Sequence, residues 1–329
     1  MTAFYAALLR TERGRPGAVT RILHYGDSPT TADLITADVR QFLQQRFGDA
    51  GHGTYLLGKP WAWYKHRGLD LESSGWRMDP ATLRGAPDGR YGLGGVSFIG
   101  GVNSATRIAL RSDGYTRLNI RYFSQPNGGE VDITAGDIHI GTLSTAAPQA
   151  AEAEESFQIP AEAREYRLKV TSGVARLFSV EFFKPGDGVV YDSIGLNGCW
   201  AGVMAHHMNG AHWAVELRAA KPDLVIINYG TNDTGYKSYV EGAYIKDMTE
   251  IIRRVRGALP DASILIMSPM DRGSREAGGN IRTIALLPQL VSMQARLAAD
   301  NGCAFFNTFQ AMGGPGTMGK WYMAEPRLV

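Results

Sequence analysis

Residues 19–28, VTRILHYGDS, decide the fold: an apolar run reaches Gly26 and is followed at once by a polar pair that ends in Ser28. Residues 223–230, DLVIINYG, form a second such run, and Asn232 follows it. Short apolar runs of this kind indicate buried strands. In open parallel sheets, ligands bind at the carboxyl ends of the strands. The two stretches therefore predict an α/β sheet with a site at that edge.

The flanking sequence supports a sheet covered by helices. Apolar residues recur with helical spacing between positions 34 and 47, and strands alternate with helices again from position 189. This alternation is typical of a parallel sheet with helices on both faces. We expect strands at 189–194, 223–230, 262–268 and 303–307, and helices at 204–220, 240–259 and 284–300.

The middle of the chain has a different pattern. Short runs of alternating apolar residues lie between positions 116 and 182, separated by turn signals such as 126–129 (PNGG). Such runs indicate a β-sandwich. The Ala- and Glu-rich stretch 146–155 is expected to be a surface loop or a short helix. The predicted organisation is an α/β domain in two segments, 1–75 and 188–329, with a β-sandwich inserted at 76–187.

Composition excludes several classes of protein. The 34 basic and 32 acidic residues leave a net charge of +2, which offers no electrostatic basis for binding nucleic acid or anionic lipid. No apolar run approaches the ~18 residues that a membrane span needs. Cys199 and Cys303 lie far apart without metal-ligand spacing, so they are either free thiols or one disulfide.

Three short motifs could carry acyl-transfer chemistry. Ser28 is either a helix cap or a nucleophile, and Asn232 is either a cap or a side-chain donor to an oxyanion. Gly198, after the strand predicted at 189–194, is either an ordinary turn glycine or a backbone donor that a ligand can approach.

Four charged residues lie near these motifs. Asp27 and Asp233 are interpreted as structural. Asp271 and Arg272 follow the strand predicted at 262–268, so they either line the cleft or, as we expect, lie in a solvated loop.

Taken together and in this order, Gly-Asp-Ser, Asn-Gly and Gly-Thr-Asn-Asp resemble the SGNH (GDSL) hydrolase family. The resemblance implies a three-layer, flavodoxin-like α/β fold and no cofactor. It also implies that Ser28 is the nucleophile, with Gly198 and Asn232 in the oxyanion hole. The β-rich insert and residues 47–53 (FGDAGHG) look like the peptidoglycan O-acetylesterase branch. This implies a serine esterase that removes O-acetyl groups from a polysaccharide or peptidoglycan in the periplasm or outside the cell.

The sequence departs from the family in one block. The family carries its general base in an Asp-x-x-His motif near the C-terminus, whereas no histidine of this chain follows His212 and the motif is absent from that region. We expect that the chain is truncated before this block. If it is complete, a glycan-binding protein without catalysis is the alternative. The alternatives of a lipase, a thioesterase or an acetyl transferase with the same site also stay open. His24 is interpreted as a core histidine.

A few residues are weaker candidates for substrate contact. Trp61 and Trp63 could stack on sugar rings, or they could form an apolar plug in the core or between domains. His207 could lie at the rim of the cleft, or on the surface. The nearby histidines His206 and His212 lack a Cys or carboxylate to complete a ligand set, so we predict no catalytic metal.

Overall fold

The computed structural model describes residues 1–328. Its α-helices are α1 (Thr2–Glu12), α2 (Ser28–Thr31), α3 (Thr36–Phe47), α4 (Gly210–Ala220), α5 (Lys237–Gly242), α6 (Tyr244–Ala258), α7 (Leu286–Asp300), α8 (Thr308–Ala311) and α9 (Thr317–Met323). Its strands are β1 (Val19–Gly26), β2 (Asp49–Tyr55), β3 (Leu69–Ser74), β4 (Arg77–Pro80), β5 (Val96–Gly100), β6 (Ala105–Leu110), β7 (Arg117–Ser124), β8 (Glu130–Ala135), β9 (Ile138–Ser144), β10 (Ala151–Gln158), β11 (Glu165–Ser172), β12 (Ala175–Phe183), β13 (Gly188–Gly195), β14 (Leu224–Asn228), β15 (Ser263–Met267), β16 (Gly273–Arg275), β17 (Ile281–Thr283) and β18 (Ala304–Phe306). None of the helices in this part of the chain has the length and apolar character needed to cross a membrane.

Five parallel strands form the centre of the main sheet, in the order β13-β1-β14-β15-β18. Successive side chains of a strand point to opposite faces. Accordingly, Ile22 of β1 packs in the core that includes residues of α1 and α3, whereas Leu23 and Tyr25 pack in the core that includes α4, α6 and α7. Helices therefore cover both faces of the sheet. The predicted three-layer α/β fold is confirmed.

The inserted region is antiparallel and continuous with the main sheet. β2 runs parallel to β13 and antiparallel to β12, so the sheet extends through β12 to β7 and β10. A second sheet, in the order β3-β6-β11-β8-β9, shares an apolar core with this extension that includes Ile108, Leu168 and Phe182. β3 already belongs to the second sheet, although it precedes residue 76. The domain division at 75/76 and 187/188 stays a proposal.

A buried arginine joins the parallel strands to the inserted region. Arg21 of β1 donates from Nε to Asp192 Oδ2 on β13 at 2.8 Å and from Nη2 to Glu181 Oε1 on β12 at 2.7 Å. Both carboxylates are fully buried. Because a buried charge is costly unless it is paired, these contacts favour one arrangement of the three strands.

Two predicted elements differ from the structure. The prediction of a loop or short helix at 146–155 holds for 146–150 but is wrong for 151–155, because β10 begins at Ala151 and pairs with β7 along its length. Glu152 on this strand reaches His212 at 2.9 Å. The single helix predicted at 204–220 is divided. A π-helical turn spans Val203–His207, and α4 begins at Gly210 after the Asn209 side chain has capped it.

Candidate active site

The three predicted motifs begin at the same level of the sheet. Gly26 at the end of β1 is paired with Gly195 at the end of β13 and with Asn228 at the end of β14. Ser28 lies two residues beyond this level, and the other two motifs start within a few residues of it. The motifs therefore occupy neighbouring loops at the carboxyl edge, where the sequence predicted a site.

Small residues at the strand ends allow the turn that carries Ser28 to lie directly on the sheet. A Cβ on Gly26 would overlap the Thr30 side chain, and one on Gly195 would overlap the backbone of Thr31. The Thr31 N–H donates to the Asp27 carbonyl at 2.9 Å, which closes the first turn of α2. Ser28 itself is exposed at the start of that helix. Its hydroxyl is thus open to a substrate.

Gly198 lies in a tight turn whose shape requires glycine. The Cys199 N–H donates to the Leu196 carbonyl at 3.0 Å, and Gly198 has a φ of 72°. This geometry is that of a type II turn with glycine at its third position. Gly198 is exposed, and no atom of the described residues would contact a Cβ there. Its backbone can therefore be approached closely by a ligand.

Asn232 ties its own loop to the Gly198 turn. Its Nδ2 donates to the Cys199 carbonyl at 2.8 Å, and the neighbouring Asp233 accepts from the Ala201 N–H at 3.0 Å. An amide group has two N–H bonds, so one remains for another acceptor. The side chain is half-buried, which orients that second N–H without closing it off from solvent.

The loop that follows β15 contacts the Asn232 loop. Arg272 Nη1 donates to the Thr231 carbonyl at 2.6 Å. Asp271 is buried and accepts from the Met318 N–H at 2.8 Å. The expectation of a solvated loop at Asp271 and Arg272 is therefore wrong. No local pattern in the sequence signalled either contact, because both partners are distant along the chain.

No histidine among residues 1–328, and no other side chain there, hydrogen-bonds to the Ser28 hydroxyl. His24 is buried on β1 with Nδ1 2.7 Å from the Tyr191 hydroxyl, and burial lowers its pKa to about 4. This agrees with its interpretation as a core histidine. His206 Nε2 lies 2.8 Å from Asp247 Oδ1.

The structure places the three weaker candidates for substrate contact in different surroundings. Trp61 is partly buried and packs against both the α/β core and the core of the insert, as an interdomain plug would. Trp63 is 65% exposed and could contact a ligand. His207 Nδ1 lies 2.7 Å from the Ala81 carbonyl, and its ring is near Trp200, which lies two residues after Gly198. The sequence interpretation had not singled out Trp200.

Three buried groups are close enough together to bind one metal ion: Asp33, His52 and His66. The Asp33 carboxylate, however, is already paired with the buried Arg40 guanidinium at 2.6 Å. A cation would have to share this carboxylate with a second positive charge, which is electrostatically unfavourable. The residues present do not favour a metal, and we derive no step that uses one.

Comparison with known proteins identifies the class. Residues 165–328 match the model of the GDSL-like lipase/acylhydrolase family. This stretch contains Gly198 and Asn232 but not Ser28, which the long insert separates from them. The chain belongs to this family of SGNH hydrolases, whose class of reaction is the hydrolysis of acyl esters. No curated protein matches the chain.

One solved structure supports the fold. The chain is similar to a structure of a peptidoglycan O-acetylesterase, with 21% identity and a TM-score of 0.81 over 97% of this chain and 87% of the other. It matches a family two carbohydrate esterase from Clostridium thermocellum with 12% identity and a TM-score of 0.28, over 72% of this chain and 88% of the other. Because that score is low, the second match carries no argument.

The close packing of α2 on the strand ends makes Gly195 a sensitive position. We predict that Gly195→Ala lowers the free energy of unfolding by about 1–3 kcal/mol or more, because the added methyl group meets backbone rather than a movable side chain. Urea unfolding measures this. The control is Gly257→Ala in α6, where no described atom lies near and the change should stabilise by about 0.5–1 kcal/mol. Equal unfolding midpoints for the two variants would contradict the packing described.

Proposed function

We propose that this protein is a serine esterase that removes O-acetyl groups from a polysaccharide or peptidoglycan. Ser28 is the nucleophile, and the oxyanion is bound by the N–H groups of Ser28 and Gly198 and by the side-chain amide of Asn232. The observation that carries the proposal is the meeting of three loops at one sheet edge, with the Asn232 amide bonded to the carbonyl that follows Gly198.

In this reaction the Ser28 oxygen attacks the acetyl carbonyl carbon while its proton passes to a base. The carbonyl oxygen becomes an oxyanion, and the N–H donors stabilise it more strongly than they stabilise the uncharged ester. Collapse of the intermediate expels the sugar hydroxyl, which takes up a proton and leaves an acetyl-enzyme. Water then releases acetate and regenerates the serine. We assign no residue of this chain to the base.

The choice of an acetylated glycan rests on two features. The fold resembles that of a peptidoglycan O-acetylesterase over nearly the whole chain, including the insert. In addition, Trp63 offers an exposed aromatic surface of the kind on which sugar rings stack. A peptidoglycan substrate would place the protein in the periplasm or outside the cell. The near-neutral net charge of the chain gives no indication of a nucleic-acid partner.

Replacing the proposed nucleophile tests the reaction. We expect Ser28→Ala to reduce acetate release from an acetylated glycan, and from a small aryl acetate, to the background rate. Because the side chain is exposed, Tm should stay near that of the unchanged protein. Asn232→Ala should lower kcat by about 10²–10³ with little change in KM.

A matched amide variant serves as the control. Asn301→Ala removes an asparagine at the end of α7, outside the site, and should leave kcat unchanged. Near-normal acetate release by Ser28→Ala would refute the nucleophile. Absence of ester hydrolysis by the unchanged protein, with retained glycan binding, would favour the binding protein instead. A preference for long acyl chains would favour a lipase.

The role of Trp63 is tested separately. We predict that Trp63→Ala raises KM for the acetylated glycan by about three- to tenfold, the loss of one aromatic contact. KM for a small aryl acetate should not change, because that substrate carries no sugar. The control is Phe42→Ala on α3, which is equally exposed at 65%. Parallel changes in KM for both substrates, or the same change in both variants, would contradict a sugar contact at Trp63.

A further inference from the structure

A cavity of about 270 Å³ lies beside the segment that joins β2 to β3. Its exposed rim carries three basic side chains and one acidic side chain: Lys59, Lys65, Arg111 and Asp70. Arg111 donates to Asp70 at 3.0 Å, which pairs the acid with one of the three cations. Neither lysine forms an ion pair within the part of the chain that the structure describes. The rim therefore keeps two unpaired positive charges.

The base of the cavity is built from buried, largely apolar side chains: Tyr64, His66, Leu69 and Leu71. The Tyr64 hydroxyl accepts from the Leu56 N–H at 2.9 Å, and the rings of Tyr64 and His66 pack edge-on with centroids 5.1 Å apart. Burial lowers the pKa of His66 to about 4, so its ring is uncharged near neutral pH. Ligand pockets combine an apolar lining of this kind with a few charged groups. The cavity thus suits a ligand with an apolar face and a negative charge.

The cavity is tied to the turn that carries Ser28. The Lys65 N–H donates to the Thr31 carbonyl at 3.1 Å, and Thr31 is the last residue of α2, which begins at Ser28. The two ends of this short helix lie about 5 Å apart along its axis. Trp63, the exposed residue to which we assign a sugar contact, lies two positions before Lys65. A glycan whose ester reaches Ser28 would therefore lie close to the unpaired lysines.

We propose that the substrate is an acidic glycan, and that Lys59 and Lys65 bind a carboxylate of its sugar chain near the O-acetyl group. An ammonium group is a compact positive charge with three N–H donors, which a carboxylate can accept. A neutral glycan would leave both charges without a partner. The identity of the ester as part of this glycan rests on the proposed function, whereas binding of the carboxylate does not require catalysis.

The binding test compares two glycans that differ only in charge. The probe is a tetrasaccharide of alternating N-acetylglucosamine and N-acetylmuramic acid with free lactyl carboxylates, and its counterpart is the methyl ester of the same tetrasaccharide. Calorimetry on the unchanged protein should give a Kd for the free acid that is about three- to tenfold lower than for the ester. Raising the salt from about 50 mM to about 500 mM should reduce this ratio, because salt screens exposed charges.

Lysine variants assign the difference to the cavity. Lys59→Gln and Lys65→Gln should each raise the Kd for the free acid by about two- to fivefold, and the double variant should bind the acid and the ester equally. Lys65→Arg keeps the charge and should retain the preference. The control is Lys221→Gln, an exposed lysine at the end of α4, before β14 begins and so at the opposite edge of the sheet. Tm should change little in all of these variants, because the side chains are exposed.

Several results would overturn the proposal. They are equal binding of the acid and the ester by the unchanged protein, absence of binding of the free acid, a preference for the acid that survives in the double variant, and an equal loss of that preference in Lys221→Gln. None of these measurements involves ester hydrolysis. A failure of the charge assignment is therefore distinct from a failure of the esterase assignment.

Kinetics supply a second readout, which rests on the proposed function. With the O-acetylated form of the free-acid tetrasaccharide, the double variant of Lys59 and Lys65 should raise KM by about three- to tenfold with kcat nearly unchanged, because the lysines bind the glycan and not the reacting ester. KM for a small aryl acetate, which carries no carboxylate, should stay the same. A fall in kcat for both substrates would contradict a role confined to recognition of the glycan.

Discussion

The site depends on the close contact between α2 and the ends of two parallel strands. Gly26 and Gly195 leave no side chain between the sheet and the helix, so the backbone of α2 lies on the strand ends themselves. This contact holds Ser28 at the same edge of the sheet as the two other loops. A protein interior is packed densely enough that such a contact has one stable arrangement. The position of the proposed nucleophile follows from this packing and does not depend on a catalytic hydrogen bond.

Hydrogen bonds between the loops then fix the arrangement that the strand ends establish. The Asn232 amide donates to the Cys199 carbonyl, the Asp233 side chain accepts from the Ala201 N–H, and Arg272 donates to the Thr231 carbonyl. Each contact joins two segments that are distant in sequence. Because the proposed oxyanion donors belong to this network, their geometry is set before a substrate binds. Such preorganisation is a main source of transition-state stabilisation in acyl transfer.

Much of this could be predicted from the sequence. The apolar runs that form β1 and β14 are short, end in glycine and precede polar residues, so both the strands and the edge they present could be derived from the pattern. What could not be predicted depends on partners elsewhere. β10 is rich in Ala and Glu and becomes a strand through pairing with β7. Arg272 faces the site because the Thr231 carbonyl accepts from it. The expectation that Asp27 and Asp233 are structural stays a prediction, and both residues are buried.

The most direct test of the central claim is a crystal structure of the protein after reaction with a phosphonate ester, which imitates the tetrahedral intermediate. The account predicts a covalent bond between phosphorus and Ser28 Oγ. It also predicts that one phosphonyl oxygen accepts hydrogen bonds from the backbone N–H groups of Ser28 and Gly198 and from Asn232 Nδ2. An adduct on another residue would contradict it, as would a phosphonyl oxygen that points to solvent with Gly198 and Asn232 beyond hydrogen-bond distance.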